Sequence, residues 1–301
     1  MRRTTTMWVA KTIEQVRQHR KQTIGTVALV PTLGALHEGH LALIRAARSQ
    51  GDHTLVSIFV NPTQFGPDED YERYPRPLDQ DLAACEREQV AGVFAPEVNQ
   101  MYPPGQPAAQ VQVPALAADL EGACRPGHFA GVCRVVAKLF NLIQPDVAMF
   151  GQKDYQQLRI IEAMVADLAM PIRIVAVPTV READGLALSS RNAYLDAAER
   201  RHALGLFKAL REAEVLIEQG GETDPAAVER TMQQVLEAHQ VQVDYAVVRH
   251  PRSLAKLDSI DPTLSGGVVA LVAGRLSNVR LIDNMIIGRD DDGGAGADCA
   301  T

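Results

Sequence analysis

Two histidines three residues apart, His37 and His40, stand in the segment Pro31-Thr32-Leu33-Gly34-Ala35-Leu36-His37-Glu38-Gly39-His40. An apolar run over residues 26–30 leads into it and an amphipathic run over 41–48 leaves it. The pattern reads as a strand, a glycine-containing turn and a helix start. A helix start offers unpaired backbone N–H groups and a partial positive charge, and both suit phosphate. Gly39 permits close approach of the backbone, and two imidazoles add donors that can follow charge developing on a phosphate oxygen. Taken alone, the pair fits capping or core histidines as well as a nucleotide site.

Four further segments carry chemistry. Phe59-Val60-Asn61-Pro62-Thr63-Gln64-Phe65-Gly66 closes an apolar run with two amides, Asn61 and Gln64. Amides donate and accept without adding charge, which suits hydroxyl and carboxylate groups; an ordinary Asn-Pro turn is the plainer reading. In Tyr74-Pro75-Arg76-Pro77-Leu78-Asp79-Gln80-Asp81, Asp79 and Asp81 fall at a helix start, where carboxylates serve as caps. The alternative is a hard-cation ligand holding Mg²⁺ against ATP phosphates. Phe150-Gly151-Gln152-Lys153-Asp154-Tyr155-Gln156-Gln157 again joins a strand to a helix. There Gly151 would let a nucleotide approach, Lys153 supplies a mobile charge and Gln157 lies one turn on. Leu188-Ser189-Ser190-Arg191-Asn192 follows the flexible Ala183-Asp184-Gly185, and its hydroxyls and guanidinium suit a triphosphate.

The elements that must position these groups alternate. Strand-like runs fall at 26–30, 54–60, 91–94, 147–150 and 172–177, and helical patterns at 41–48, 78–88, 132–143 and 155–168. The order implies an α/β fold, a Rossmann-like parallel sheet covered by helices. Ligands of such sheets bind beyond the carboxyl ends of the strands, where three of the motifs fall. Residues 99–114, rich in Pro, Gln and Ala, read as an excursion. Past residue 179 the pattern changes to helices at 197–219 and 225–240 and strands at 243–248, 268–272 and 279–287, a smaller α+β domain. The expected division is 1–179, 180–288 and a disordered tail, 289–301, with Asp290, Asp291 and Asp292 and little to bury.

Composition narrows the class. A chain of 301 residues, 46% hydrophobic and 22% charged, can bury a full core and two domains. Its net charge of −7 argues against nucleic acid as the main partner. There is no apolar run of about 18 residues to span a membrane. Arg2 and Arg3 lead into threonines rather than an apolar segment, so no secretory signal is read. Cys85, Cys124, Cys133 and Cys299 form no CxxC pair, which fits a reducing cytoplasm better than zinc or a disulfide framework.

The HxGH segment resembles the "HIGH"-type nucleotidyltransferases. The order PTxGALHEGH, FVNPxQF, YPRxxxxD, RPGHFxGV, FGxKDxxQ and LALSSRN, over residues 24–196, resembles the pantothenate synthetase family, or pantoate–β-alanine ligases. The resemblance implies ATP-dependent condensation of (R)-pantoate with β-alanine through a pantoyl adenylate, releasing AMP and pyrophosphate, on the route to coenzyme A. It implies ATP contacts from Leu33, Gly34, Ala35, Leu36, His37, Glu38, Gly39 and His40, from Gly151, Gln152, Lys153 and Asp154, and from Val180, Leu188, Ser189, Ser190 and Arg191. His40 falls on the proton-donating histidine, with His37, Lys153 and Arg191 as its catalytic company. Gln64 and Gln157 fall on the pantoate contacts, Gln64 also lying near the β-alanine site. Asn61 and Arg125 are further substrate contacts, and Asp81 matches the magnesium-associated acid. A homodimer and a small domain closing over ATP are implied too. Leu33 in place of Met, and Gln152, Ala130 and Cys133, depart from the family's usual residues without removing a reacting group. Two other readings stand beside this one: transfer of AMP or CMP to a phosphate ester, and a nucleotide-binding regulator without catalysis.

Overall fold

The apolar runs form strands buried on both faces. Strand β2 (Val27–Thr32) and strand β5 (Val147–Gly151) are covered along almost their whole lengths. Near-continuous apolarity is what a parallel sheet between two helical layers requires. The computed structural model describes residues 6–67, 69–261 and 266–288. In it these strands join β1 (Trp8–Ala10), β3 (His53–Ile58), β4 (Gly92–Phe94) and β6 (Arg173–Val177). The sheet is parallel throughout, in the order β1-β4-β3-β2-β5-β6.

Successive side chains of a strand point to opposite faces, and two cores result. Val27 and Leu29 of β2 and Ala148 and Phe150 of β5 face one of them. Helix α1 (Ile13–Gln22), helix α7 (His128–Ile143) and helix α8 (Tyr155–Asp167) contribute Val16, Phe140 and Leu158 to that side. Ala28, Val30, Val147 and Met149 face the other, against Ile44 of helix α2 (Glu38–Gln50) and Cys85 of helix α3 (Leu78–Arg87). Single turns α4 (Val98–Met101), α5 (Pro114–Ala117) and α6 (Glu121–Cys124) fall between β4 and α7, within the expected excursion at 99–114 and beyond it.

The connections place the site. From β2 the chain runs to β3 on one side, and after β4 it returns to β5 on the other side of β2. That reversal opens a crevice at the carboxyl ends of β2 and β5. The two strand-to-helix turns of the sequence follow these two strands.

The remaining elements are α9 (Ala197–Glu214), α10 (Pro225–Ala238), β7 (Gln242–Arg249), β8 (Val268–Leu276) and β9 (Val279–Ile287). The strands form an antiparallel sheet ordered β7-β8-β9, packed by Leu206, Met232, Leu236 and Val272 into a core of their own. Of the described residues, those up to Val180 together with Leu188–Ser190 form one unit, and Arg181–Ala187 with those from Arg191 onward form another.

The expected fold class holds, with β1, α1 and the single turns α4 to α6 added. Strand β1 is three residues long, too short for a periodicity to show. Helix α1 is polar, with Val16 its one buried residue. Its start was legible nonetheless: Thr12 and Gln15 form a reciprocal capping box, a Thr-x-x-Gln signature. Helix α7 begins at His128 rather than at 132, launched by Gly127 at φ 83°. The expected tail at 289–301 lies outside the described residues. Among those described, no helix is long and apolar enough to cross a membrane.

Candidate active site

The turn between β2 and α2 is built by side chains that capture its backbone. The Gly34 N–H donates to Thr32 Oγ1 at 3.2 Å, and that hydroxyl donates to the Ser57 carbonyl at 2.8 Å. The Ala35 and Leu36 N–H groups donate to the two oxygens of Asp81, at 2.9 and 2.8 Å. The His37 N–H donates to His40 Nδ1 at 3.4 Å, and the Gly39 N–H donates to His37 Nδ1 at 3.2 Å. Five amides that the sequence offered to phosphate are therefore engaged within the protein. This corrects the expectation of unpaired backbone N–H groups at this turn. Gly39 also has a local reason. A Cβ there would sit 2.9 Å from His37 Cε1, so glycine leaves room for the ring.

Those bonds fix the tautomers. An imidazole nitrogen that accepts from a backbone N–H carries no proton, so each ring in its neutral form bears its proton on Nε2. The rings lie 4.2 Å apart, centroid to centroid. Burial, reinforced by the charge of Lys153 and opposed by Asp154, holds His37 below its ordinary value. Burial and the neighbouring His37 push His40 down to about 3. At neutral pH both are uncharged Nε2–H donors. The influence of Lys153 and Asp154 on both rings brings the turn after β5 to the same edge. That turn is a short 3-10 segment, Gln152–Asp154, with Lys153 partly buried and the face of Gly151 open.

The amide segment after β3 forms a second wall. Gln64 is 9% exposed and Asn61 fully buried. Asn61 Nδ2 donates to Gln64 Oε1 at 3.0 Å and to the Gly131 carbonyl at 3.1 Å. Its Oδ1 accepts from the Thr63 N–H, from Thr63 Oγ1 and from the Tyr102 hydroxyl. A carbonyl can only accept and an amide N–H can only donate, so Asn61 has one orientation. It holds Gln64 with Oε1 inward and leaves Nε2 as the outward donor. Asn61, read from the motif as a substrate contact, thus lies buried behind Gln64 as its support.

Arg125 likewise supports. Its Nε and Nη2 bind the Glu69 carboxylate at 2.7 and 2.6 Å, and Nη1 lies 3.1 Å from His128 Nε2. Burial works to raise Glu69, and the Arg125 hydrogen bond and charge outweigh it, holding the carboxyl below its ordinary value. His128 Nδ1 donates to the Gln64 carbonyl at 2.8 Å, which leaves Nε2 to accept from Arg125. Burial and the Arg125 charge push His128 down to about 4. Tyr102, Glu69 and Gln156 belong to this scaffold and were not singled out from sequence. Gln156 ties the excursion down, donating to the Leu116 and Asp119 carbonyls and accepting from the Glu121 N–H. A lone tyrosine in a Pro/Gln/Ala stretch was the available signal for Tyr102.

The other motif residues are distributed as follows. Gln157 is half-buried on the first turn of α8. The Glu38 side chain is exposed and pairs with Arg45. Val180, Leu188, Ser189 and Ser190 belong to the unit that carries the parallel sheet, with Leu188 N–H bonded to the Val180 carbonyl at 3.0 Å. Arg191 begins the stretch assigned to the other unit. No cluster of three or more His, Cys, Asp or Glu side chains that could cage a metal ion occurs among the described residues. Asp81, expected to meet Mg²⁺, is 3% exposed and has both oxygens turned to the Ala35 and Leu36 amides. It does not fit a metal ligand.

The profile of the family described as Pantoate-beta-alanine ligase matches residues 7–286. A pantothenate synthetase of Moorella thermoacetica is 49% identical over 289 residues, covering 95% of this chain and 100% of that protein. One from Acidothermus cellulolyticus is 48% identical, covering 94% of this chain and 92% of that protein. The crystal structure of pantothenate synthetase from Thermus thermophilus superposes with a TM-score of 0.88 at 46% identity, over 94% of this chain and 100% of that one. The pantoate-beta-alanine ligase of Francisella tularensis, complexed with beta-gamma ATP and beta-alanine, superposes with a TM-score of 0.77 at 32% identity. It covers 93% of this chain and 98% of its own.

Proposed function

This chain belongs to the pantoate–beta-alanine ligase family, and on that premise we propose that it joins pantoate to β-alanine at the cost of ATP, making pantothenate. The observation that carries the residue roles is the pair of neutral imidazoles at the switch point of the sheet, with Nδ1 tied to the backbone and Nε2–H left to donate.

In the first step a pantoate carboxylate oxygen attacks the α-phosphorus of ATP. The bond from that phosphorus to the bridging oxygen breaks, and pyrophosphate leaves. His40 and His37 hold the phosphate oxygens through Nε2–H, and Lys153 follows the charge on the leaving group. Such donors act by standing ready where charge develops. Gln64 holds an oxygen of the acid through Nε2–H and Gln157 holds the acid from α8, so that the attacking oxygen is aligned. In the second step the amine of β-alanine attacks the acyl carbon. The carbon–oxygen bond to AMP breaks, AMP departs, and the amine's surplus proton passes to solvent. No enzyme nucleophile is called for. The buried thiols of Cys85 and Cys133 suit none, since burial pushes them up to about 12 and about 11.

The finer assignments are proposals on the family motifs. Gly34 to Gly39 shape the pocket for the nucleotide, Gly151 to Asp154 line it, and Val180, Leu188, Ser189, Ser190 and Arg191 act on ATP. Mg²⁺ accompanying the nucleotide would be held by phosphates and water rather than by Asp81, the usual habit of this ion. The enzyme works in the cytoplasm as a homodimer, for which light scattering would return twice the chain mass.

One assay tests the reading: AMP release from ATP that requires both pantoate and β-alanine. AMP formed without β-alanine beyond a single turnover, or a product that retains the nucleotide, would overturn it.

A further inference from the structure

Asp81 lies on the first turn of α3, distant in sequence from the turn it touches, and is almost fully buried. Each of its oxygens accepts one backbone N–H, from Ala35 and from Leu36. The turn it grips is strained. Gly34 and Ala35 are consecutive residues at positive φ, 91° and 52°. An alanine in that region carries a steric cost that only surrounding structure sustains. The space is also closed, since a Cβ on Gly34 would stand 3.0 Å from Asp81 Oδ2 and from Ile58 Cγ2.

We propose that Asp81 is a positioning residue for the nucleotide turn: its carboxylate holds the Gly34-Ala35 conformation and thereby sets where His37 and His40 present their Nε2–H groups. The inference rests on the ligase reading for its kinetic consequence and on geometry alone for its structural one. Without the carboxylate, two partly buried N–H groups would lose their acceptors, and Ala35 would relax out of the left-handed region. His37 and His40 follow within five residues, and their mutual cap depends on the His37 N–H direction. Displacing a catalytic donor by about 1 Å costs on the order of 10²-fold in rate.

The test is Asp81→Asn, which keeps one acceptor and turns a donor toward the other amide. Hydrogen exchange at Ala35 and Leu36 in the substrate-free protein should speed up by about ten- to hundredfold, the loss expected of one charge-assisted bond. kcat should fall by about 10², the KM for pantoate should stay within about twofold of wild type, and the Mg²⁺ concentration giving half-maximal rate should stay unchanged. Unchanged exchange at both amides overturns the proposal. So does a shift of about tenfold or more in the Mg²⁺ requirement, which is the mark of a lost metal ligand. Should the variant not fold, the wild type decides. The Ala35 and Leu36 amide resonances should track the titration of the Asp81 carboxyl and ignore millimolar Mg²⁺; movement with Mg²⁺ and not with the carboxyl overturns the proposal. The exchange and resonance measurements need no substrate. A wild type that makes no AMP therefore removes the ligase reading and leaves this one standing.

Discussion

His37 and His40 are aimed by the backbone that carries them. Each Nδ1 is occupied by an N–H from the same turn, so each Nε2–H is the donor that remains. Lys153 arrives from another turn, and its charge reaches both rings. Removing one such preorganised donor costs about 10²–10³ in kcat. His40→Ala and Lys153→Ala should each lose at least that much while keeping the circular dichroism of the wild type; near-native turnover in both would sink the assignment. The motif residues were readable because a strand-to-helix turn with two imidazoles has a short list of uses. What each residue does there was less so. Asp81 reads from spacing as a cap or a cation ligand, and it meets Ala35 and Leu36 only because the fold brings α3 under the turn.

Helix α7 and the 3-10 turn Pro62–Gln64 illustrate the scale of elements. Gly131 lies where they meet. A Cβ on it would stand 2.1 Å from the Thr63 carbonyl oxygen and 2.7 Å from the Gln64 nitrogen, both backbone atoms with little freedom to yield. In an exposed helix, glycine to alanine would gain up to about 1 kcal/mol from propensity. Here the overlap wins, and overpacking of this kind costs about 1–3 kcal/mol. Gly131→Ala should lower the melting temperature and raise the KM for pantoate more than that for ATP, since relieving the overlap shifts the residue 131 carbonyl away from Asn61 and loosens the support of Gln64. A melting temperature at or above that of wild type would count against this packing. The small-residue position was visible in RPGHFxGV, but its reason was not, because nothing in a linear pattern says which backbone lies across from it.

At the scale of the whole molecule, two histidines held neutral by desolvation contribute to acid sensitivity. His128 is held at about 4 and His40 at about 3, against an ordinary 6.5. Both are neutral when folded, and the unfolded chain takes up their protons first as pH falls. Their contribution is therefore intact above pH 6.5 and is lost progressively below it, down to about 4 for His128 and about 3 for His40. Each costs about 1.4 kcal/mol per pH unit over its window. Urea midpoints measured from pH 7 to 4 should fall steeply, and His128→Gln should flatten the slope; a midpoint constant over that range would refute the assignment. The sequence by itself determined the reaction class, through the order of its motifs, and the parallel α/β architecture. Strand periodicity and strand-to-helix turns are local patterns, and buried strands tolerate few residue types. Only the tertiary structure decided which polar groups of the motifs are tied to other parts of the protein. Asn61, Arg125 and Asp81 carry the same side chains as ligand contacts, yet their hydrogen bonds close on Gln64, Glu69 and the Ala35-Leu36 backbone. A hydrogen bond is satisfied by whatever partner the fold brings within about 3 Å; that partner is a near neighbour for Asn61, but lies 45 or more residues away in sequence for Asp81 and Arg125.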